Sequence, residues 1–307
     1  MNALSRRALL GASLCAGLGL FGGLPRAGKA SAYPDPERAG FVAVRGGQVW
    51  YRSNGMRHVV DGKLPLLVIH GGPGFSHHYL LALTALADDR PVIFYDQLDS
   101  GNSERPGDPA NWTVERFVSE VDDVRAALGL DRLIVLGSSW GGTVAAEYAI
   151  GRPAGLVGLV LASPLISTPR WIADNTAYRK ALPPDVQKML DEHEAAGTTD
   201  SQEYHEVNRA FELANLDLYV TMWGNTEFNA TGTLKDYDAS PRLGQIQAPT
   251  LFTCGEFDEA TPAACEDFAA MVPNGRVEVI PDASHMAFAE QPEAYMTTVR
   301  AFFDQLT

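Results

Sequence analysis

Short apolar segments rich in Val, Ile and Leu alternate with longer amphipathic segments along most of this 307-residue chain. The short segments are apolar at consecutive positions, which indicates strands whose two faces are both covered. The predicted strands are 64–70, 91–96, 132–137, 157–163, 249–254 and 276–281, and the predicted helices are 79–87, 114–128, 140–150, 262–271 and 292–306. This order predicts an α/β fold, a doubly wound and mostly parallel sheet with helices on both faces, preceded by a hairpin near 47–53.

The alternation stops between residues 167 and 242, where no convincing strand occurs. Apolar residues recur there at helical spacing, at Tyr204, Val207, Phe211, Ala214 and Leu218. Because a compact domain rarely contains a structureless loop of this length, the segment 167–242 is predicted to be an inserted helical cap. The core domain then comprises residues 33–166 and 243–307.

The first 32 residues are predicted to be a signal peptide of the twin-arginine type. Ser5-Arg6-Arg7 precedes a weakly apolar run at 8–24, which is followed by Ala30-Ser31-Ala32. A basic start, a short apolar middle and small residues at a cleavage site are typical of secretory signals, and paired arginines are typical of the twin-arginine route. An uncleaved membrane anchor is the alternative, although the run is short for a transmembrane helix and rich in glycine. We therefore expect an exported protein, periplasmic or secreted, without a stable membrane anchor after cleavage.

The charge balance is acidic, with 24 Lys and Arg against 38 Asp and Glu residues and a formal net charge of −14. Such a surface repels the phosphate backbone of nucleic acids, which argues against nucleic acid as a partner. Cys254 and Cys265 are the cysteines outside the signal peptide, and the sequence leaves open whether they pair or stay inert. The sequence has no motif with metal-ligand spacing, so neither a metal nor another cofactor is predicted.

The run Gly137-Ser138-Ser139-Trp140-Gly141 lies directly between a predicted strand and a predicted helix. This is the context of a nucleophile elbow, in which a sharp turn requires small flanking residues and exposes a serine hydroxyl at a helix N-terminus. A serine at such a turn can also act only as a helix cap. The combined context favours Ser139 as a catalytic nucleophile.

An acid and a base follow two later strands. Asp258 comes shortly after strand 249–254, and His285 comes after strand 276–281. The carboxyl ends of parallel strands meet at one edge of the sheet, and the chain order Ser, Asp, His is that of α/β-hydrolases. We therefore expect Ser139, Asp258 and His285 to form a catalytic triad. The other histidines of the predicted cap and loops are interpreted as structural, namely His58, His77, His78, His193 and His205.

The run His70-Gly71-Gly72-Pro73-Gly74 follows the first predicted strand. Glycines allow backbone N–H groups to approach a reacting carbonyl closely. The backbone N–H groups of Gly72 and of Trp140, the residue after the nucleophile, are predicted to form the oxyanion hole. A tight turn that serves only to reverse the chain is the alternative for the outer glycines.

Five segments together resemble the proline iminopeptidase family, which includes similar amino-acid amidases and aminopeptidases. They are HGGPG at 70–74, YDQLDSGNS at 95–103, GSSWGG at 137–142, MWGNTEF at 222–228 and GTLKDYD at 232–238. The resemblance covers nearly the whole chain after residue 32, and HGGPG with GSSWGG is far more specific than a lone nucleophile elbow. Asp99 departs from the pattern, since the family usually has glycine there.

The resemblance implies an α/β-hydrolase with a cap that releases an N-terminal residue, often proline, from small peptides or amino-acid amides through an acyl-enzyme. It also implies that the carboxylates of Glu227 and Glu259 bind the ammonium group of the substrate, since a buried ammonium requires a paired carboxylate. An exposed helix-end carboxylate is the alternative for Glu227. Phe75, Trp140, Trp223 and Phe228 are candidates for the wall of an apolar pocket or, alternatively, simply core residues.

Two other functions stay open at this point. A carboxylesterase or lactonase on the same scaffold would not need an amine-binding carboxylate, and a non-catalytic binding protein would not need the triad. The sequence does not decide which N-terminal residue is preferred or what the oligomeric state is.

Overall fold

The computed structural model describes residues 33–180, 215–224 and 229–306, together with 184, 187, 188, 191, 192 and 196. In these residues an eight-stranded sheet has the strand order β1-β2-β4-β3-β5-β6-β7-β8. β1 pairs with β2 and β2 with β4 in antiparallel fashion, and all other neighbours are parallel. The strands are β1 Arg38–Val44, β2 Gly47–Asn54, β3 Leu66–Ile69, β4 Val92–Tyr95, β5 Leu133–Ser138, β6 Leu156–Ala162, β7 Thr250–Gly255 and β8 Gly275–Ile280.

Helices follow most of the parallel strands. The described α-helices are α1 Val114–Leu128, α2 Trp140–Ile150, α3 Thr168–Lys180, α4 Leu216–Met222, α5 Pro262–Met271, α6 Ala287–Glu290 and α7 Pro292–Phe303. The described 3-10 segments are Met56–Val59, His77–Asp88, Pro109–Asn111 and Ser240–Gln245. This architecture confirms the predicted α/β-hydrolase fold class, a doubly wound and mostly parallel sheet. The predicted helix 79–87 is instead a 3-10 segment.

The central strands bury side chains on both faces of the sheet, as their continuous apolar sequences predict. On β3, Leu67 and Ile69 belong to one apolar cluster, whereas Leu66 and Val68 belong to the cluster on the other face. Successive side chains of a strand point to opposite faces, so each run supplies both cores at once. The polar residues that follow each of these strands therefore lie in the loops at the carboxyl edge of the sheet.

The described part of the predicted cap is helical. It contains α3, α4 and the start of the 3-10 segment Ser240–Gln245, and an isolated antiparallel bridge joins Ser167 to Asp238 at its base. The helical repeat expected at 204–214 lies outside the described residues, as does the predicted signal peptide 1–32. The domain boundaries therefore stay predictions.

Two chemical features of the described residues bear on the earlier expectations. Cys254 and Cys265 are free thiols, and both are buried. None of the described helices combines the length and the apolar composition that crossing a bilayer requires.

Candidate active site

Ser139 occupies the turn between β5 and α2. Its φ of 55° and ψ of −120° lie outside the ordinary regions for a residue with a side chain. Gly137 is required beside it, because a Cβ at that position would collide with the backbone carbonyl of Gly141. Strained backbone of this kind is typical of functional positions, and here it sets Ser139 at the N-terminus of α2.

Asp258 follows β7 and is completely buried. Its Oδ1 atom lies 2.8 Å from Nδ1 of His285 and accepts the N–H of Ala260 at 2.9 Å. Its Oδ2 atom accepts the hydroxyl of Ser163 at 2.5 Å and the N–H of Gly255 at 3.2 Å. The carboxylate therefore has four hydrogen bonds, two on each oxygen.

His285 follows β8 and is oriented by this carboxylate. A carboxylate can only accept, so the contact with Asp258 assigns the ring proton of His285 to Nδ1. Nε2 of the neutral ring is then the atom that can accept a proton, as a general base requires. The structure thus brings the predicted acid and base together, with the ring proton on the side of the acid.

Glu259 lies on the same side of the site. Its Oε1 atom is 3.5 Å from Nδ1 of His285, and its side chain is only 11% exposed. The distance is too long for a good hydrogen bond, so Asp258 rather than Glu259 holds the imidazole. Glu259 is the predicted amine-binding residue that the structure places beside the base, whereas Glu227 lies outside the described residues.

The loop after β3 packs against the nucleophile. A Cβ on Gly71 would lie 3.0 Å from Cβ of Ser139, and the N–H of Gly71 donates to the hydroxyl of Tyr79 at 2.6 Å. Gly72 has a φ of 117°, which favours glycine. The N–H of Trp140 begins α2 and so has no acceptor one turn earlier within the helix. Both predicted oxyanion donors, Gly72 and Trp140, therefore belong to segments that adjoin Ser139.

A buried hydrogen-bond network joins these two segments. Nδ1 of His70 donates to the carbonyl of Gly71 at 2.8 Å, and Nε2 accepts the N–H of Gln97 at 2.9 Å. The side chain of Gln97 donates to the carbonyl of His70 at 2.7 Å and accepts the indole N–H of Trp140 at 2.9 Å. Gln97 was not predicted as a site residue, although it lies within the conspicuous segment 95–103. It ties the glycine loop to the start of α2.

The structure shows how Asp99 is accommodated at a position where the family usually has glycine. Its φ of 66° lies in the left-handed region, where glycine is the ordinary choice and Asp is among the better tolerated alternatives. Its buried carboxylate accepts the indole N–H of Trp112 at 2.8 Å and the N–H of Gly107 at 2.7 Å. The loop therefore keeps the conformation that a glycine would allow, and the Asp99 side chain fastens it.

The cap adjoins the glycine loop through Asn215. The backbone N–H of Asn215 donates to the carbonyl of Gly74 at 2.8 Å, and its amide donates to the carbonyl of Asp99 at 2.9 Å. The rings of Phe75 and Tyr219 are stacked with centroids 5.7 Å apart. The start of α4 is thus attached to both loops beside the site.

The aromatic residues that the structure places near the site are not all among the candidates for the pocket wall. Trp140 is completely buried and packs edge-on against Phe117, so of the two alternatives for its side chain the structure supports the core. Trp171 of α3, which was not predicted, lies perpendicular to the ring of His285 at 5.8 Å and also contacts Trp223. Phe228 lies outside the described residues.

The remaining histidines have structural partners where they are described. His77 pairs with buried Asp96 at 2.8 Å, and His58 pairs with Asp61 at 3.1 Å. His193 and His205 lie outside the described residues. Across the part of the chain that the structure describes, no three His, Cys, Asp or Glu side chains are grouped as a metal ion would require.

Complete burial lowers the pKa of His70 from 6.5 to about 4, so the imidazole behind the glycine loop is neutral over most of the pH range. Between these two pH values the unfolded chain binds a proton that the folded chain does not. Folding stability is therefore expected to fall by about 3 kcal/mol as the pH drops through this window. Urea unfolding from neutral pH to about pH 4 measures the loss, and His70→Gln should reduce it.

His58→Gln is the matched control for this measurement, because His58 lies on a half-buried turn away from the site. It should keep the pH dependence of the parent protein. An equally steep loss of stability in His70→Gln would assign the acid sensitivity to other groups.

The comparisons with known proteins agree with this geometry. Residues 65–292 match the α/β hydrolase fold family. The proline iminopeptidase of Heyndrickxia coagulans is 40% identical over 290 residues, which cover 87% of this chain and 99% of that protein. The crystal structure of VinJ is 37% identical with a TM-score of 0.82, covering 89% of this chain and 100% of that chain. The crystal structure of the Mycobacterium smegmatis proline iminopeptidase is 36% identical with a TM-score of 0.76, covering 87% and 98%. The chain therefore belongs to the α/β-hydrolase fold family and, within it, to the proline iminopeptidase family.

Proposed function

We propose that this protein is a serine aminopeptidase that releases an N-terminal amino acid, with proline preferred, from small peptides or amino-acid amides. The observation that carries the proposal is the pairing of His285 with buried Asp258, and the strained turn at Ser139 and the carboxylate of Glu259 next to the base support it. The family relationship supports the same activity, since the relatives named above include two proline iminopeptidases.

In the proposed reaction, Nε2 of His285 takes the hydroxyl proton as Ser139 Oγ attacks the carbonyl carbon of the N-terminal residue. The oxyanion accepts hydrogen bonds from the N–H groups of Gly72 and Trp140, while Asp258 stabilises the imidazolium. His285 then donates the proton to the leaving amine, which departs as the acyl-enzyme forms. Water, deprotonated by the same imidazole, hydrolyses the acyl-enzyme and restores Ser139.

Selection of a free amine follows from charge. The substrate ammonium must lose water to enter the site, and this is costly unless a carboxylate pairs with it. Glu259 supplies such a carboxylate in a nearly buried position, and Glu227 is proposed as the second one. A carboxylesterase or lactonase would have no use for this charge, so the two functions differ in how they treat an acetylated amine.

The first test compares arylamides of proline and alanine with their N-acetylated forms and with a simple aryl ester. We expect kcat/KM to be at least about 100-fold higher for the free amines than for the acetylated amides, because an acetylated amine carries no charge and cannot form a charge-assisted hydrogen bond to the carboxylate. Steady-state kinetics with a chromogenic leaving group measures this. Equal or better turnover of the acetylated amides or of the ester would favour the esterase alternative.

The second test removes the charge of the amine site. Glu259→Gln is expected to raise KM for proline arylamide roughly tenfold, since a charge-assisted hydrogen bond to the ammonium is lost. Turnover of the aryl ester should change little, because an ester substrate without an amine does not use this group. Glu227→Gln is expected to have the same selective effect.

Glu256→Gln is the matched control for Glu259→Gln. Glu256 lies in the same loop, is exposed, and accepts the N–H of Asp282 at 3.1 Å. It should therefore leave both substrates unaffected. An equal loss on arylamide and ester in Glu259→Gln would instead indicate a structural role for that carboxylate.

Export is part of the proposed function and has its own test. Residues 1–32 carry the paired Arg6 and Arg7 expected of a twin-arginine signal. Fused to a folded reporter protein, this segment should direct the reporter out of the cytoplasm of a bacterium that has the twin-arginine translocase. Replacing both arginines with lysine should retain the reporter, as cell fractionation would measure, whereas export of the lysine form would exclude this route.

A further inference from the structure

Ser163 is a buried residue with an unusual backbone at the carboxyl end of β6. Its φ is 49°, and it is only 3% exposed. A serine in the left-handed region is strained and persists only where the surroundings impose that conformation. The nucleophile Ser139, with a φ of 55°, occupies the same kind of position at the end of the neighbouring β5.

The side chain of Ser163 contacts both the acid and the base segment. Its Oγ atom lies 2.5 Å from Oδ2 of Asp258 and 3.1 Å from the backbone carbonyl of His285. A hydroxyl has one proton to donate, and the short contact with a carboxylate is the stronger of the two. Ser163 is therefore the side-chain donor that holds the oxygen of Asp258 that does not face the imidazole.

The backbone around Ser163 contacts the nucleophile. The N–H of Ser139 donates to the carbonyl of Ala162 at 2.9 Å, and the N–H of Leu165 donates to the carbonyl of Ser139 at 3.2 Å. The turn 162–165 thus touches Ser139 through its main chain, and it reaches Asp258 and His285 through the hydroxyl of Ser163. It connects all three residues of the proposed triad.

We propose that Ser163 is a positioning residue for the triad. Its hydroxyl fixes Oδ2 of Asp258, so that Oδ1 keeps facing Nδ1 of His285, and the turn holds this pair in register with Ser139. The proposal rests on the proposed function in one respect, namely the catalytic roles assigned to Ser139, Asp258 and His285.

The same hydrogen bond also tunes the base. A donor on Oδ2 withdraws negative charge from Asp258, and this weakens the support that the carboxylate gives to the imidazolium form of His285. Removing the hydroxyl concentrates that charge on the contact with His285. The protonated form of the base then persists to higher pH, although its orientation is less well defined.

Two variants separate the hydroxyl from the backbone strain. Ser163→Gly removes the hydroxyl and suits a left-handed φ, whereas Ser163→Ala removes the hydroxyl and keeps the strain. Either variant tests the hydroxyl if the other fails to fold. In both, we expect kcat for proline arylamide to fall roughly tenfold with KM nearly unchanged, because a misplaced base slows the chemical step and leaves binding intact. The acid limb of kcat/KM should move to higher pH by roughly half a unit to one unit.

The rate at which a fluorophosphonate labels Ser139, measured across the same pH range, is the companion readout. Labelling reports how well His285 activates Ser139, whatever substrate the enzyme naturally cleaves. A parent protein that is labelled but does not cleave arylamides would contradict the aminopeptidase proposal and leave the Ser163 proposal testable. The same drop and the same pH shift in labelling of Ser163→Gly would support it.

Thr143→Val is the matched control. The hydroxyl of Thr143 is buried and donates to the carbonyl of Leu165 at 2.6 Å, so it holds the same turn without contacting Asp258. This variant should keep the pH profile of the parent even if its thermal stability falls. The Ser163 proposal is overturned if Ser163→Gly retains the kcat and pH profile of the parent, or if Thr143→Val shifts the profile equally.

Discussion

The carboxylate of Asp258 is the buried charge on which the arrangement of the site depends. A fully buried carboxylate is costly unless hydrogen bonds replace its water, and here four donors do so. Two of these donors are backbone N–H groups, at the end of β7 and in the loop that follows it, one is the side chain of Ser163 after β6, and one is the ring of His285 after β8. Satisfying this single charge therefore brings the ends of three adjacent strands into one fixed arrangement.

Strain is concentrated at the same edge of the sheet. Outside glycine, positive φ angles in the described residues occur at Asp99, Ser139, Ser163 and Asp282 in loops that follow strands, and at Arg152 after a helix. Such conformations cost free energy, and they are maintained here by hydrogen bonds from neighbouring loops. Burial of the large apolar cores on both faces of the sheet stabilises the fold and offsets this cost in free energy.

The sequence was sufficient to predict the fold and much of the site, because the patterns that reveal them lie within short stretches of the chain. Continuous apolar runs mark strands buried on both faces, so β3 to β8 and the helices α1, α2 and α5 were predicted closely. The placement of Asp258 and His285 followed from their positions just after strands. The pairing of Asp258 with His285 could be expected on that ground before any distance was known.

The features that were missed depend on contacts between distant segments. Gln97 joins His70 to Trp140, and Ser163 joins the end of β6 to Asp258, but no spacing in the sequence encodes either contact. The sequence left the side chain of Trp140 between two alternatives, because a residue at the start of a helix can point to the core or to the pocket. Tertiary packing against Phe117 decides this, and packing is invisible in a one-dimensional pattern.

The proposed reaction needs neutral donors for the oxyanion and a carboxylate for the substrate ammonium, and the groups assigned to these two roles differ in charge and in place. The groups assigned to the oxyanion are neutral dipoles, and His70 behind them is kept neutral by burial, so this side changes little in charge with pH above about 4. The groups assigned to the ammonium are carboxylates, and Glu259 lies next to the base rather than behind the glycine loop. A carboxylate beside the oxyanion would oppose the charge that develops there. With Glu259 on the side of His285, the proposed site would attract a cationic substrate and still stabilise a negative transition state.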